Sequence, residues 1–248
     1  MANSPTGEAL IERLDRVLNA FTPEDDALST AEIARRAGLP PATAHRVCGD
    51  MARLGWLDQR PGGYTVGSRL WEITNRASRR TKLAVLSRPH LSDIQAVMGQ
   101  HVQLGVIDGF DVLFVDRLSS REAPEIHGGV ADRLPLHASA TGLVLLAHAS
   151  SELQAFYRER HQDDAEASPR LSEEHLAFIR QHGYCVQTGV IEENITGLAV
   201  PIRQKGRQLV AGLGIVTDDE EVARRPAPWV QMLQIAARGI QRGLSTSS

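Results

Sequence analysis

Cysteine is scarce in this sequence. Cys48 and Cys185 are the only two, they lie far apart, and they fit no metal-ligand spacing, so reduced and buried thiols are expected. Long hydrophobic runs are absent as well. None approaches the roughly 18 apolar residues that a membrane-spanning helix needs. The first residues, MANSPTGEALIERLDRVL, place acids where a secretory leader would need a basic start and an apolar core. The expected location is therefore cytoplasmic, with no membrane partner. The catalytic signatures HExxH, GxSxG and the P-loop are also missing. Nine histidines are present, but none forms an HExxH pair or joins a cysteine cluster. No enzyme, cofactor or metal site is expected on these grounds. A metal-sensing use of His127, His137 and a carboxylate stands as the alternative to ordinary surface and core roles. Strong basic charge is lacking overall, since 27 Lys and Arg face 30 Asp and Glu for a formal net charge of −3.

What is there is ordinary in amount and uneven in placement. The 248 residues are 42% hydrophobic and 23% charged, which suits a globular chain of one large or two smaller domains. Residues 1–32 hold two Arg and seven acids. Residues 33–82 hold ten basic residues against three acids, and residues 83–248 hold fifteen against twenty. A basic block of fifty residues between two acidic ones can supply phosphate-directed affinity without a high overall charge.

That block carries a motif. Leu10, Leu14, Val17, Leu18 and Phe21 recur at helical spacing and predict an amphipathic helix over 7–21. In STAEIARRAG, Ser29 and Glu32 form a capping-box pattern, and Gly38 is placed to end a short helix. In LPPATAHRVCGDMARLG, Pro41 suits a first helical turn. The apolar stripe Ala44, Val47, Met51 and Leu54 then predicts a helix over 41–54. Two helices joined by GLPP make a helix-turn-helix. WLDQ and YTVG, flanking the turn signal RPGG, add a β-hairpin wing. The second helix of such a motif enters the major groove, where side chains near its N-terminal end reach base edges. The expected contacts to double-stranded DNA are Pro41, Thr43, His45 and Arg46 on that helix, with Arg46 able to pair with guanine. Arg35, Arg36 and Arg60 are expected at phosphates, positioning the domain without reading sequence. A winged helix can also serve as a protein-interaction module, and that is the rival reading.

SRLWEITNRASRRTK follows the wing and predicts a linker helix over 68–82. From residue 83 the pattern turns to mixed helix and strand. LAVLSRPHLSDIQAVMG reads as a helix bent or restarted at Pro89. HVQLGVID and DVLFVDRL read as a hairpin turning at Asp108-Gly109. PLHASATGLVLLAHA leads from a loop into a helix, with Ser139 as a plausible cap, and a helix start of this kind favours an anion. The helical stretches SELQAFYRERH and SEEHLAFIRQH follow, then strands in YCVQT, ITGLAVPIR and RQLVAGLGIVT. A final helix begins near Pro228. The expected fold class is α+β in two domains, with the winged helix-turn-helix at 1–67 and the second domain at 83–248.

The phrases STAEIARRAGLPPATAHRVCGDMARLGWL, YTVGSRLWEI, LPLHASATGLVLLA and GYCVQTGVIEENITGLAVPIRQKGRQLVAGLGIV, in this order, resemble the IclR family of bacterial transcriptional regulators. The resemblance runs from about residue 10 to 240. It implies a GAF-like effector-binding domain, dimers formed through the N-terminal domains and often paired as tetramers, and a small organic effector, commonly a carboxylic or aromatic acid. Pocket positions carried over by the resemblance are Ile126, Leu134, Ala140, Thr141, Gln187, Gly197, Gly214 and Val216. Gln187 stands where many members have an acid, and Gly214 and Val216 stand where they have serines. Leu143 stands where a Lys is frequent. Fewer polar anchors and more space imply a larger or more apolar effector than a two- or three-carbon acid.

Overall fold

A computed structural model of the chain describes residues 9–121, 123–124, 129–203 and 209–246, which fall into two units dividing between Arg79 and Arg80. The first unit opens with α1 (Leu10–Leu18), α2 (Thr30–Arg36) and α3 (Pro41–Arg53). The Ser29 hydroxyl accepts a hydrogen bond from the Glu32 amide at 3.2 Å, which fixes where α2 begins. Pro41 opens α3, and Leu54 closes it as the cap. Strands β1 (Leu57–Arg60) and β2 (Gly63–Val66) pair antiparallel, with Arg60 opposite Gly63 and the turn at Pro61-Gly62. Leu28 adds an edge to this wing through reciprocal bonds with Tyr64, at 2.9 and 2.8 Å. Val17, Ile33, Ala44, Val47, Cys48, Met51 and Leu57 form the unit's core.

Helix α4 (Ser68–Ala77) buries none of its residues, and Trp71 is 69% exposed. The single helix expected over 68–82 is not formed. Ser78 is extended, and α5 (Arg79–Met98) starts directly after it. Nor does Pro89 restart a helix, because α5 runs through it. Burial explains the tolerance: Leu83, Leu91 and Ile94, on both sides of Pro89, are all in the core, and their packing outweighs one lost backbone bond.

The second unit is built on a six-stranded antiparallel sheet. Its strands are β3 (His101–Asp108), β4 (Asp111–Leu118), β5 (Arg133–Pro135), β6 (Cys185–Thr188), β7 (Thr196–Arg203) and β8 (Leu209–Thr217). The strand order is β5-β4-β3-β8-β7-β6. The first hairpin turns at Gly109-Phe110, one residue later than the sequence signal, with Asp108 opposite Asp111 and Gly109 at φ +65°. One sheet face packs Val102, Leu104, Leu198, Val200, Leu213 and Ile215 against α5 and α11 (Ala227–Thr246). The opposite face receives α6 (Ala140–Ala147), whose eight residues are all buried. Around α6 lie a 3₁₀ turn (Leu136–Ala138), α7 (Ser151–Arg160), α8 (Ala167–Arg170) and α9 (Glu173–His182). Gly183, at φ +72°, ends α9, and α10 (Glu220–Arg224) precedes α11. No described helix is long and apolar enough to cross a membrane.

Candidate functional site

Two surfaces carry the chemistry, one on each unit. On the first, α3 buries Ala44, Val47, Cys48 and Met51, so its remaining residues face outward. Pro41, His45 and Arg46 are exposed, and Thr43 is half-buried in the first turn. Arg46 and Arg53 both approach Asp50, at 3.7 and 3.6 Å. These are loose, solvated pairs that a polyanion can replace. Arg60 sits at the wing turn, 3.8 Å from Asp58 and similarly exposed. Arg35 has a tighter bond to Glu32 at 2.6 Å, yet its side chain is 71% exposed.

Arg36 departs from its expected role at a phosphate. Its guanidinium donates to Asp25 Oδ2 at 2.7 Å, to Glu32 Oε1 at 2.7 Å and to the Ala20 carbonyl at 3.0 Å. This fork ties the loop after α1 to α2 and leaves the charge committed inside the unit. The Arg36 guanidinium, with help from the Thr22 amide, draws the Asp25 carboxyl down to about 2. Arg35 and then Arg36 do the same to Glu32, also to about 2.

On the second unit, a cavity of about 70 Å³ lies where the first turn of α6 meets the sheet. Leu134, Ala140, Thr141, Gln187, Gly197 and Val216, six of the positions carried over by the resemblance, line it. Ile126 and His127 fall outside the described residues. Gly214 is absent from the lining for a physical reason. A Cβ placed there would lie 2.6 Å from Thr141 Oγ1, so Thr141 already fills the room that a glycine was expected to open. Gly105 and Gly212 would each meet Thr141 Cγ2 at 2.9 Å. Three glycines therefore allow α6 to lie close on the sheet. Leu143 is fully buried behind the cavity.

Sequence reading missed several walls, among them Gln103, Phe114 and Ile191. The alternation of β3 could have placed Gln103 and Gly105 on one face, but the partner strand requires the register. Gln103 Nε2 donates to Thr141 Oγ1 at 3.4 Å, and Gln187 Nε2 to the His137 carbonyl at 3.5 Å. The Ser139 hydroxyl takes the Gly142 amide at 3.0 Å. Gln187 Oε1 is buried with no hydrogen-bond partner.

Arg117 also belongs to this face. It pairs across the ladder with Gln103, and antiparallel partners project to the same side. Its Nε and one Nη are buried with no hydrogen-bond partner, and burial pushes its pKa down, with Asp132 pulling the other way. Guanidinium does not deprotonate in proteins, so a half-buried cation with two unused donors lies opposite Gln103, which lines the cavity.

Two family profiles cover this architecture. Residues 10–61 match the IclR helix-turn-helix domain, and residues 75–242 match the bacterial transcriptional regulator IclR C-terminal domain. The chain belongs to the IclR family. It is a DNA-binding transcriptional regulator, which sets aside the enzyme and protein-interaction readings. Among relatives of this IclR-family protein, the HTH-type transcriptional regulator XynR of Escherichia coli is 26% identical over 94% of this chain and 96% of its own length. The Pca regulon regulatory protein of Pseudomonas putida is 25% identical over 84% of this chain and 74% of its own. The crystal structure of an IclR homolog complexed with 4-hydroxybenzoate, from Microbacterium hydrocarbonoxydans, superposes with a TM-score of 0.85 at 36% identity. It covers 97% of this chain and all of that one.

Proposed function

We propose that this regulator's hold on its operator is set by an aromatic carboxylate bound between α6 and the sheet. The carrying observation is a mainly apolar cavity whose lining residue Gln103 is the cross-strand partner of Arg117, two of whose guanidinium nitrogens are buried with no hydrogen-bond partner. Phe114, Leu134 and Ile191 offer a ring apolar contact, while a carboxylate at Arg117 would satisfy donors that are costly to leave buried and unpaired. The 4-hydroxybenzoate complex of the Microbacterium homolog supports the same ligand class. A ring-sized acid is preferred over a two- or three-carbon one because the walls are mainly apolar. Titration calorimetry with 4-hydroxybenzoate and 4-hydroxybenzamide tests this. The acid should bind at least tenfold more tightly than the amide, and Arg117→Gln should erase that difference. Tight binding of glyoxylate or pyruvate, with none of aromatic acids, would overturn the proposal.

On DNA, α3 is placed in the major groove with Arg46 and His45 at base edges, and Arg35, Arg53 and Arg60 at phosphates. Self-association through the first unit supports a two-fold operator. The exposed apolar residues of α4 favour it, with Trp71 at 69% and Ile73 at 39% exposure. Trp71→Glu is expected to yield monomers in sedimentation velocity and to weaken operator binding. A dimer unchanged by this substitution would place the contact elsewhere.

A further inference from the structure

We propose that His137, His161 and Asp164 form a binding site for a divalent transition metal of the zinc class, separate from the effector cavity. Among the described residues these three bring one imidazole nitrogen each and a carboxylate oxygen within 4.8 Å of one another. They come from two pieces of chain. His137 belongs to the 3₁₀ turn before α6, His161 is the cap that ends α7, and Asp164 lies in the loop leading to α8. His161 and Asp164 are three positions apart, but His137 lies 24 residues before them, so only the fold joins the set; sequence reading had offered His137 with His127 and an unspecified carboxylate.

Each group is oriented as a ligand requires. His137 is only 13% exposed, and its Nδ1 is 2.9 Å from the hydroxyl of the fully buried Tyr157. That contact leaves Nε2 pointing at Asp164 Oδ2, 3.9 Å away. Fixing one ring nitrogen so that the other faces the ion is the usual arrangement around a metal-bound histidine. Asp164 is held in the same way. Its Oδ1 accepts the Glu166 and Ala167 amides, both at 3.0 Å, and Oδ2 remains for a cation. The His161 ring stands 4.7 Å from that of His137, edge on, and 4.5 Å from that of Tyr157.

The electrostatics agree with the geometry. Burial, followed by the neighbouring His161, pushes His137 below its usual pKa. The Ala167 amide holds Asp164 below the usual carboxylate range, so it is ionised. Arg170, half-buried nearby, opposes a cation at His137. Two imidazoles and one carboxylate with an open fourth position suit Zn²⁺. Ligand atoms bound at about 2.1 Å in a tetrahedron are about 3.4 Å apart, so the site must contract by roughly 1 Å. His161 and Asp164 lie in exposed loop segments at helix ends and can make that movement.

The placement gives such an ion a route to the effector cavity. The His137 carbonyl holds Gln187, and Ala138 and Ser139, the next two residues, line the cavity wall. A metal on His137 would therefore brace one wall of that cavity without entering it.

The test uses the full-length chain without a histidine tag, titrated with Zn²⁺ against a chromophoric chelator and with Co²⁺ followed by its absorption. One ion per chain is expected, with a four-coordinate cobalt spectrum. His161→Ala and Asp164→Asn, both partly exposed and outside the core, should each weaken zinc binding about tenfold or more and remove the rise in thermal midpoint that zinc gives the parent protein. No stoichiometric binding, or affinities that both substitutions leave intact, would show that the cluster is only aromatic packing around Tyr157 and overturn the proposal.

Discussion

Arg36 determines how the first unit responds to acid. It joins Asp25, Glu32 and the Ala20 carbonyl, and the carboxyls it holds titrate near 2 instead of at their ordinary 3.8 and 4.5. Because both are depressed on folding, their stabilisation is fully present above about pH 4.5 and disappears as pH falls toward 2. Arg36→Met should therefore lower the thermal midpoint of the full chain clearly at pH 7, and the gap to the parent protein should shrink by pH 2–3. Circular dichroism melts across that range measure it. A midpoint unchanged at pH 7, together with weaker DNA binding, would return Arg36 to the phosphates. Its charge was legible in the sequence and half of its pairing was too, since Glu32 precedes it by one helical turn. Asp25 was not legible, because only the fold of the intervening loop brings it within reach.

At the scale of elements, the wing depends on a glycine that no other residue can replace. Gly63 has φ +149°, and a Cβ there would lie 2.0 Å from the Leu28 carbonyl oxygen, the same oxygen that accepts the Tyr64 amide. Gly63→Ala must push the Leu28 edge away from the wing and is expected to cost about 3 kcal/mol. The resulting loss of DNA affinity should exceed that of the neighbouring Gly62→Ala, where the added Cβ meets nothing within 4 Å and only the backbone strain at φ +94° opposes it. Equal effects of the two substitutions, measured by urea unfolding and gel shift, would refute this account. Elements with local punctuation were readable: Ser29 starts α2, Pro41 starts α3 and Gly183 ends α9. Those decided by packing were not. Pro89 looked like a break, but core contacts on both sides of it keep α5 whole. The three-residue strand β5 is too short for its alternation to register, and it exists because β4 offers it an edge.

Across the whole molecule, the function depends on which residues the sheet order makes neighbours. Arg117 and Gln103 are fourteen positions apart in the chain yet opposite each other in the ladder, and Gly105 and Gly212 both lie under Thr141. Alternation within a strand can assign faces, but register alone decides which faces meet, so the place of Arg117 opposite Gln103 stayed hidden, while Leu134, Thr141 and Gln187 were carried over as pocket positions by the resemblance. The DNA surface can be divided by role in a way that experiment separates. Arg60, at the wing turn with only a distant Asp58, is cast as a phosphate contact, whereas Arg46 on α3 is cast as a base reader. Each phosphate neutralised contributes about 0.9 to the slope of log K against log salt. Arg60→Ala should therefore flatten that slope by about one per bound chain while leaving the preference for operator over random DNA intact. Arg46→Ala should leave the slope nearly unchanged and reduce that preference by about 1–3 kcal/mol per half-site. Fluorescence anisotropy over a salt series with both DNAs measures the two quantities together. If the two substitutions exchange these signatures, α3 lies in the groove with Arg46 on the backbone, and the wing reads the sequence instead.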